Sequence, residues 1–298
     1  MKLLFLGTGT SHGIPVIGCD CKVCKSSDPR NRRYRCSAYV TLTGKNDEKK
    51  YVLIDIGPDF RSQALEYKVR KVDLLLLTHS HADHLHGIDD LRIFSCDMFK
   101  KPDNPRNMEK YEAPPIPIYT NRTTIRDIEK RFDYFFRHCK EGGGHAKVEL
   151  IEAADTFEAC GITITPIPMM HGSLETTGWL LTESANGTKR SIAYLTDCSF
   201  ISDEAIQKIK EKCGFLDHLV IDGLRVDKHS THFNFLQALE AADKIGPKHV
   251  WLTHITHAHS HEEIIAYINE NLYRFPNLSS LAESVLPAYD GLEIGWQD

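Results

Sequence analysis

No stretch of the sequence approaches the ~18 consecutive apolar residues that a membrane span requires, which points away from a helical membrane protein. The opening run from Met1 to Leu6 is too short for the apolar region of a secretory signal, and no convincing small-residue cleavage site follows it. We read it as the first β-strand of a cytoplasmic protein. Basic excess is also missing. The net charge is −5 with His neutral, which disfavours a general nucleic-acid coat, although bound divalent metals would restore local positive charge and keep an anionic substrate open. A disulfide framework is not expected either: nine Cys without an export signal imply reduced thiols or metal ligation. What remains is a soluble α/β composition of ordinary apolar and charged content, in 298 residues, enough for a substantial core.

The chemistry is concentrated in Thr78-His79-Ser80-His81-Ala82-Asp83-His84, where four metal-ligand side chains fall within six residues. They follow Val72–Leu77, a dense apolar run that reads as a buried strand. In an extended turn, His79 and His81 point the same way and can share one metal. Asp83 and His84 come as the chain bends into a helix, expected over His84–Phe94, and can face a second metal. A surface His cluster is the alternative, but an exposed cluster has no reason to follow a buried strand. Metal-capable residues also recur at later strand ends. Ile162–Ile167 leads to His171, Ser191–Leu195 to Asp197, His218–Ile221 to Asp222, and His249–Leu252 to His254. Leu76-Leu77-Thr78-His79 and Trp251-Leu252-Thr253-His254 use one device twice.

A second cluster, Cys19-Asp20-Cys21-Lys22-Val23-Cys24, lies in a polar, turn-like setting. Three thiols this close resemble three ligands of a tetrahedral zinc site whose fourth ligand comes from elsewhere. The preceding Gly7-Thr8-Gly9 is either a plain turn or a close backbone approach to a ligand. Arg30, Arg32, Arg33 and Arg35 form a basic loop, read as solvated, with anion contact as the lesser alternative. Further expectations are a hairpin of Ser37–Thr43 and Tyr51–Ile56, helices at Asp59–Tyr67, Thr123–His138 and Phe233–Ala242, and a helix from His261 with Ser260 and Glu263 as a capping box. A last strand is expected at Leu292–Ile294. Asp55 falls within an apolar strand, so its carboxylate needs partners; orienting a His ligand and a purely structural hydrogen-bonding role are both open.

The H-x-H-x-D-H motif, followed in order by His171, Asp197 and His254, resembles the metallo-β-lactamase superfamily across nearly the whole chain. The resemblance implies a four-layer αββα sandwich, here a single domain over 1–298 with a zinc-binding loop at about 15–36 and an insertion at about 97–117. It implies one metal on His79, His81 and His171, a second on Asp83, His84 and His254, and Asp197 as the bridge. Zn²⁺, Mn²⁺ or Fe²⁺ would suit such ligands. The C-x-C-x-x-C cluster narrows the resemblance to the cyclic phosphodiesterases of the carbon–phosphorus lyase pathway, the PhnP type. In these the fourth ligand of a structural Zn²⁺ lies three residues after the last metal-site His, which is His257 here. The same relatives carry a catalytic His, and their spacing selects His232 over His229.

The resemblance therefore implies a metal-dependent phosphodiesterase. A bridging hydroxide would attack phosphorus, Asp83 would act in the centre, and His232 would stabilise the transition state or protonate the leaving oxygen. The expected partner is a small phosphodiester, with neither a membrane nor a stable nucleic-acid partner, and with a homodimer through the Cys loop left open. The alternatives are a tRNA 3′-end type nuclease, whose clamping arm is not evident, and a thioester or lactam hydrolase, against which the Cys loop and His232 speak. A non-catalytic module is disfavoured by the full ligand set. A diiron redox protein is disfavoured by His81 and by the lack of a flavin partner domain.

Overall fold

The computed structural model describes residues 1–44, 47–95, 114–136, 145–185 and 187–296. The expected insertion therefore lies almost wholly outside the described residues, as do Arg137–Gly144 with their three glycines. Its last two residues do not belong to an insertion: Ile116 begins a strand.

Among the described residues, fourteen strands form two seven-stranded sheets. The first holds β1 (Lys2–Gly7), β2 (Ser37–Thr43), β3 (Lys49–Ile54), β4 (Leu74–Leu76), β5 (Ile116–Thr120), β6 (Val148–Glu152) and β14 (Glu293–Gly295), in the order β14-β1-β2-β3-β4-β5-β6. The second holds β7 (Phe157–Ala159), β8 (Ile162–His171), β9 (Leu174–Ala185), β10 (Thr188–Leu195), β11 (Phe215–Asp222), β12 (His249–Thr253) and β13 (Ser284–Pro287), in the order β13-β12-β11-β10-β9-β8-β7. Each sheet has an antiparallel part and a parallel part: β14 and β1–β3 pair antiparallel and β3–β6 parallel, while β7–β10 pair antiparallel and β10–β13 parallel.

Three apolar cores separate four layers. The middle core joins the sheets, with Phe5, Val40, Ile54 and Leu76 meeting Ile164, Trp179, Tyr194 and Val220. Outside the first sheet pack α1 (Phe60–Glu66), α2 (Ala82–Leu85), α3 (Arg92–Ser95) and α4 (Arg122–Arg131), through Phe60, Leu85 and Ile128. Outside the second pack α5 (Asp203–Cys213), α6 (Phe235–Ile245), α7 (His261–Asn271) and α8 (Pro276–Leu281), through Ile209, Leu239, Ile264 and Leu278. Burial of each such side chain contributes roughly 1.5–3 kcal/mol over leaving it exposed. The result is an αββα sandwich, as expected. No helix among the described residues is long and apolar enough to cross a membrane.

The caps explain several boundaries. Ser260 and Glu263 form the expected capping box at α7, and Asn234 with Gln237 forms a second at α6. These satisfy first-turn N–H groups that the helix itself cannot. The continuous helix expected over His84–Phe94 is not formed. The chain makes α2, a 3₁₀ turn at Ile88–Leu91 and then α3. Gly87 is the reason. Its N–H donates to the Ile56 carbonyl at 2.9 Å, and a Cβ there would overlap the Gly57 carbonyl oxygen. The helix yields to a backbone-on-backbone contact with the Ile56-Gly57 segment. The helix expected at Thr123–His138 likewise ends at Arg131 and continues as a 3₁₀ turn at Asp133–Phe135.

Replacing Gly87 by Ala should therefore force backbone apart and cost about 1–3 kcal/mol, the typical range of overpacking. Gly44→Ala, where the nearest atom is 3.4 Å away, serves as the near-neutral control. Urea midpoints read both, and an unchanged midpoint for Gly87→Ala would refute this account of the broken helix.

Candidate active site

The strand ends of the two sheets converge on one cluster. From the first sheet, the turn after β4 supplies His79 and His81, and α2 supplies Asp83 and His84. From the second, β8 ends in His171, β10 is followed by Asp197, β11 ends in Asp222 and β12 is followed by His254. Three sets of ligand atoms lie within 4.8 Å of one another: His79, His81 and His171; His79, His84 and Asp197; and Asp83, His84 and His254. Asp197 is central. Its carboxylate oxygens stand 3.1 Å from His84 Nε2, 3.3 Å from His254 Nε2 and 4.0 Å from His79 Nε2. Asp83 Oδ2 is 3.2 Å from His84 Nε2 and 3.6 Å from His254 Nε2. His81 is exposed and marks the open side of the cluster, whereas His79, His84 and His254 are buried.

The imidazoles are aimed by their other nitrogens. His84 Nδ1–H donates to Asp55 Oδ2 at 2.7 Å. Asp55 also accepts from the Thr78 amide at 2.8 Å and from the Thr78 hydroxyl, and His79 Nδ1–H donates to that hydroxyl at 2.9 Å. Asp55 lies just past β3, not within it, and its one carboxylate positions both the His79 and the His84 rings. His171 Nδ1–H donates to the Thr231 carbonyl at 2.6 Å. This is the outer-shell arrangement that fixes metal-ligating histidines. It leaves His79 Nε2 and His84 Nε2, together with both nitrogens of His254, buried without a hydrogen-bond partner.

Those orphaned nitrogens fit a metal. So does the charge. Burial opposes protonation of His84, but Asp197, Asp83 and Asp55 outweigh it and hold its pKa well above the usual imidazole range. Burial likewise opposes ionisation of Asp197, and His254 and His84 outweigh it and hold its pKa well below the usual carboxylate range. A cluster this rich in carboxylate demands counter-charge, and divalent cations on N and O donors are the counter-charge its lone pairs are aimed to accept.

His232 is brought to the same place. A ring nitrogen of His232 lies within 4.8 Å of ligand atoms of His171 and Asp197, and its ring stacks on His254 at 4.6 Å. Its Nδ1–H donates to Asp222 Oδ2 at 2.7 Å. His229 is exposed, and its Nδ1 accepts from the Thr231 amide instead. Asp222 was noted in the sequence as an acid at a strand end, but its role as the partner of His232 was not foreseen. It shares its signal with Asp55 and Asp197: an acid closing an apolar strand.

The second cluster is also assembled. Sγ atoms of Cys19, Cys21 and Cys24 lie 3.3, 3.5 and 3.4 Å from His257 Nδ1. These match the ~3.5 Å S···N edge of a tetrahedron with Zn–S of about 2.3 Å and Zn–N of about 2.0 Å. The Cys24 amide donates to Cys21 Sγ and is the largest influence lowering that thiol's pKa, to about 6, toward the thiolate a metal needs.

Residues 50–255 match the family model described as the beta-lactamase superfamily domain. Among curated proteins, an octanoyltransferase of Porphyromonas gingivalis is 32% identical over 296 residues, 98% of this chain and 51% of that protein. The chain thus spans about half the length of that relative. Among solved structures, a diphosphatase from the PhnP family is 35% identical with a TM-score of 0.76, covering 99% of this chain and 98% of its own. Zn²⁺-bound PqqB from Methylobacterium extorquens shares the fold, with a TM-score of 0.72, 17% identity and coverage of 99% and 100%.

If Cys19, Cys21, Cys24 and His257 hold a metal, cobalt-substituted protein should show thiolate-to-cobalt charge-transfer absorption. That band should vanish in Cys21→Ser and persist in His79→Ala, with elemental analysis of the zinc form losing the matching equivalent. Full zinc content in Cys21→Ser would rule the thiolate site out.

Proposed function

Because the chain belongs to the beta-lactamase superfamily of metal-dependent hydrolases, we propose that it hydrolyses small phosphodiesters or diphosphate esters. His79, His81 and His171 would hold one divalent ion, and Asp83, His84 and His254 a second, with Asp197 between them. Ions on these ligands supply Lewis-acid stabilisation, a water of lowered pKa, and a net positive site, since Asp83 and Asp197 offset only part of their charge. The 35% identity to a diphosphatase over the whole chain supports a phosphorus centre over an acyl one.

The observation that carries the reading is the Asp222–His232 pair. Asp222 is fully buried and accepts the hydrogen bond from Nδ1–H, so the imidazole's remaining nitrogen is the one free to face the cluster. This is how a buried carboxylate fixes the tautomer and orientation of a catalytic His. The Cys198 amide donates to the same Asp222 oxygen at 2.9 Å and keeps the carboxylate from rotating away. His232, carrying a proton on that nitrogen as well while Asp222 balances the charge, then gives this proton to the departing oxygen of the ester. Asp55 and Thr78 act at one remove, holding His79 and His84 in place.

The test uses leaving groups that differ in their need for that proton. Protein loaded with Mn²⁺ or Zn²⁺ is offered bis(p-nitrophenyl) phosphate, a 3′,5′-cyclic nucleotide and, as the acyl control, an octanoyl thioester. Wild type should turn over the phosphodiesters and not the thioester. His232→Ala should lose about 10²-fold or more in kcat on the cyclic nucleotide, whose alkoxide must be protonated, and much less on the nitrophenyl ester, with metal content unchanged. Equal losses on both diesters would contradict the proton-donor role, and thioester turnover in their place would contradict the phosphorus reading.

A further inference from the structure

Three imidazoles of the cluster are aimed by a hydrogen bond at their second ring nitrogen: His79 by the Thr78 hydroxyl, His84 by Asp55 and His171 by the Thr231 carbonyl. His254 lacks such a bond but is buried and stacked on His232. His81 has neither support. It is exposed, its ring makes no hydrogen bond among the described residues, and the rings it meets are those of His79 and His171, at 4.5 and 5.1 Å. The Asp55 carboxylate reaches Thr78 and His84 and no further. The direction of His81 therefore has to come from its backbone.

That backbone is gripped from α4. His79 and His81 project to one side of an extended turn, so Ser80 between them projects to the other. There the Ser80 hydroxyl donates to Asp127 Oδ2, and the Ser80 carbonyl accepts from Arg131 Nη1. Asp127 and Arg131 stand one turn apart on α4, with Nη2 and Oδ2 3.7 Å from each other, and meet Ser80 as a pair. Bonds with one ionised partner are roughly twice as strong as neutral ones. The Ser80 carbonyl also belongs to the planar peptide unit that carries the His81 nitrogen. Arg131 thus fixes the plane from which His81 hangs, and Asp127 fixes the residue before it.

The helix that holds the pair is itself tied down. Ile128, between them, is buried in the core outside the first sheet. Asn121 caps α4 by accepting from the Thr124 amide at 2.8 Å, and its side-chain amide donates to Thr177 Oγ1 at 3.2 Å. The Thr177 backbone amide donates in turn to the Thr78 carbonyl at 2.9 Å. Both neighbours of His79 are therefore connected to α4, Ser80 directly and Thr78 through β9. Ser80 is buried, Asp127 half-buried and Arg131 exposed, so the pair can be altered without opening the core.

We propose that Asp127 and Arg131 are positioning residues for the metal ion on His79, His81 and His171: by clamping both polar groups of Ser80 they set the direction of the His81 ring. The inference rests on the metal occupancy proposed above and is independent of the phosphorus chemistry.

Mn²⁺, which suits N and O donors better than thiolates, is titrated into chelator-treated protein and followed by calorimetry. The step lost in His81→Ala identifies the ion in question. Arg131→Ala should weaken that step about 10- to 100-fold, the usual effect of removing a group that orients a ligand, and leave the other step within about twofold. Arg131→Lys, which keeps a donor for the Ser80 carbonyl, should recover part of the loss. Ser80→Ala and Asp127→Ala should each weaken the same step, and the double variant should lose no more than the single ones, because all three lack one and the same bond. The thermal midpoint of the metal-free protein, unchanged in Arg131→Ala, separates positioning from a merely structural role. Wild-type Mn²⁺ affinity in Arg131→Ala, equal weakening of both steps, or a weakening that comes with a lowered midpoint overturns the clamp, as does a His81→Ala variant that keeps both steps. A wild type that takes up no Mn²⁺ at the cluster overturns both the clamp and the hydrolase reading. One that binds Mn²⁺ and cleaves no phosphodiester overturns the phosphorus chemistry alone, and the affinities still decide the clamp.

Discussion

The site depends on a single buried carboxylate. Asp55 sits one residue past β3 with φ at +58°, a left-handed conformation that costs a non-glycine residue on the order of 1–3 kcal/mol. The strain turns the side chain across the ends of β3 and β4. There it meets the Thr78 amide, the Thr78 hydroxyl and His84 Nδ1. Burial pushes the Asp55 pKa up, and His84 with the Thr78 donors pulls against it. Its charge is tolerable only because each lone pair is used. Through Thr78 the same carboxylate reaches His79, so the turn after β4 and the start of α2 take their directions from one group.

Asp197 and His254 repeat the backbone device on the second sheet, with φ at +54° and +60°. Three of the non-glycine residues with left-handed backbone therefore belong to the cluster or aim it. Asp55 and Asp197 occupy corresponding places, each after the strand at which its sheet changes from antiparallel to parallel pairing, and His254 follows β12 in the parallel half. The echo of Thr78-His79 in Thr253-His254 has a physical basis in that pattern. In both cases a strand with parallel neighbours on either side ends, β4 between β3 and β5 and β12 between β11 and β13, and the turn that follows presents an imidazole at the strand ends. Strain is concentrated where the ligands are, and the surrounding β-structure supplies the rigidity to hold it.

Much of this was legible in the sequence because strand ends and ligand residues coincide. Apolar runs that close on His or Asp announced β4, β8, β10 and β12, and the order of their terminal residues implied the cluster. The αββα layering was implied by the family resemblance those residues carry, and the succession of strands and helices agreed with it. Asp222 escaped notice as the partner of His232 because an acid at a strand end has no spacing signature toward a residue ten positions on. The broken helix after His84 was hidden for a different reason: Gly87 looks permissive in a helix, and only the approach of Ile56-Gly57 from another part of the chain makes it a break. α5 was missed although Ser202 caps it and Ile206, Ile209 and Cys213 are buried along it. The basic loop was misread as uniformly solvated, since nothing local distinguishes the buried Arg33 from the exposed Arg32.

The Cys cluster and the imidazole cluster are joined by four residues of chain. His254 belongs to one and His257 to the other, and Ile255 between them is stitched to the Gly-Thr-Gly loop on both sides. Its amide donates to the Thr8 carbonyl at 3.0 Å, and its carbonyl accepts from the Thr10 amide at 3.1 Å. Thr8 in turn is held by Arg33 and Asp290, which anchor the C-terminal segment through Ala288. A strained His254 with no hydrogen bond to either ring nitrogen is positioned by its backbone and by the His232 ring stacked on it. That backbone is fixed by β12 before it, and after it by the stitching to β1 and the fastening of His257 to three thiols. The Cys loop therefore contributes to the site without touching it. It closes the chain on the far side of a residue whose own conformation would otherwise relax.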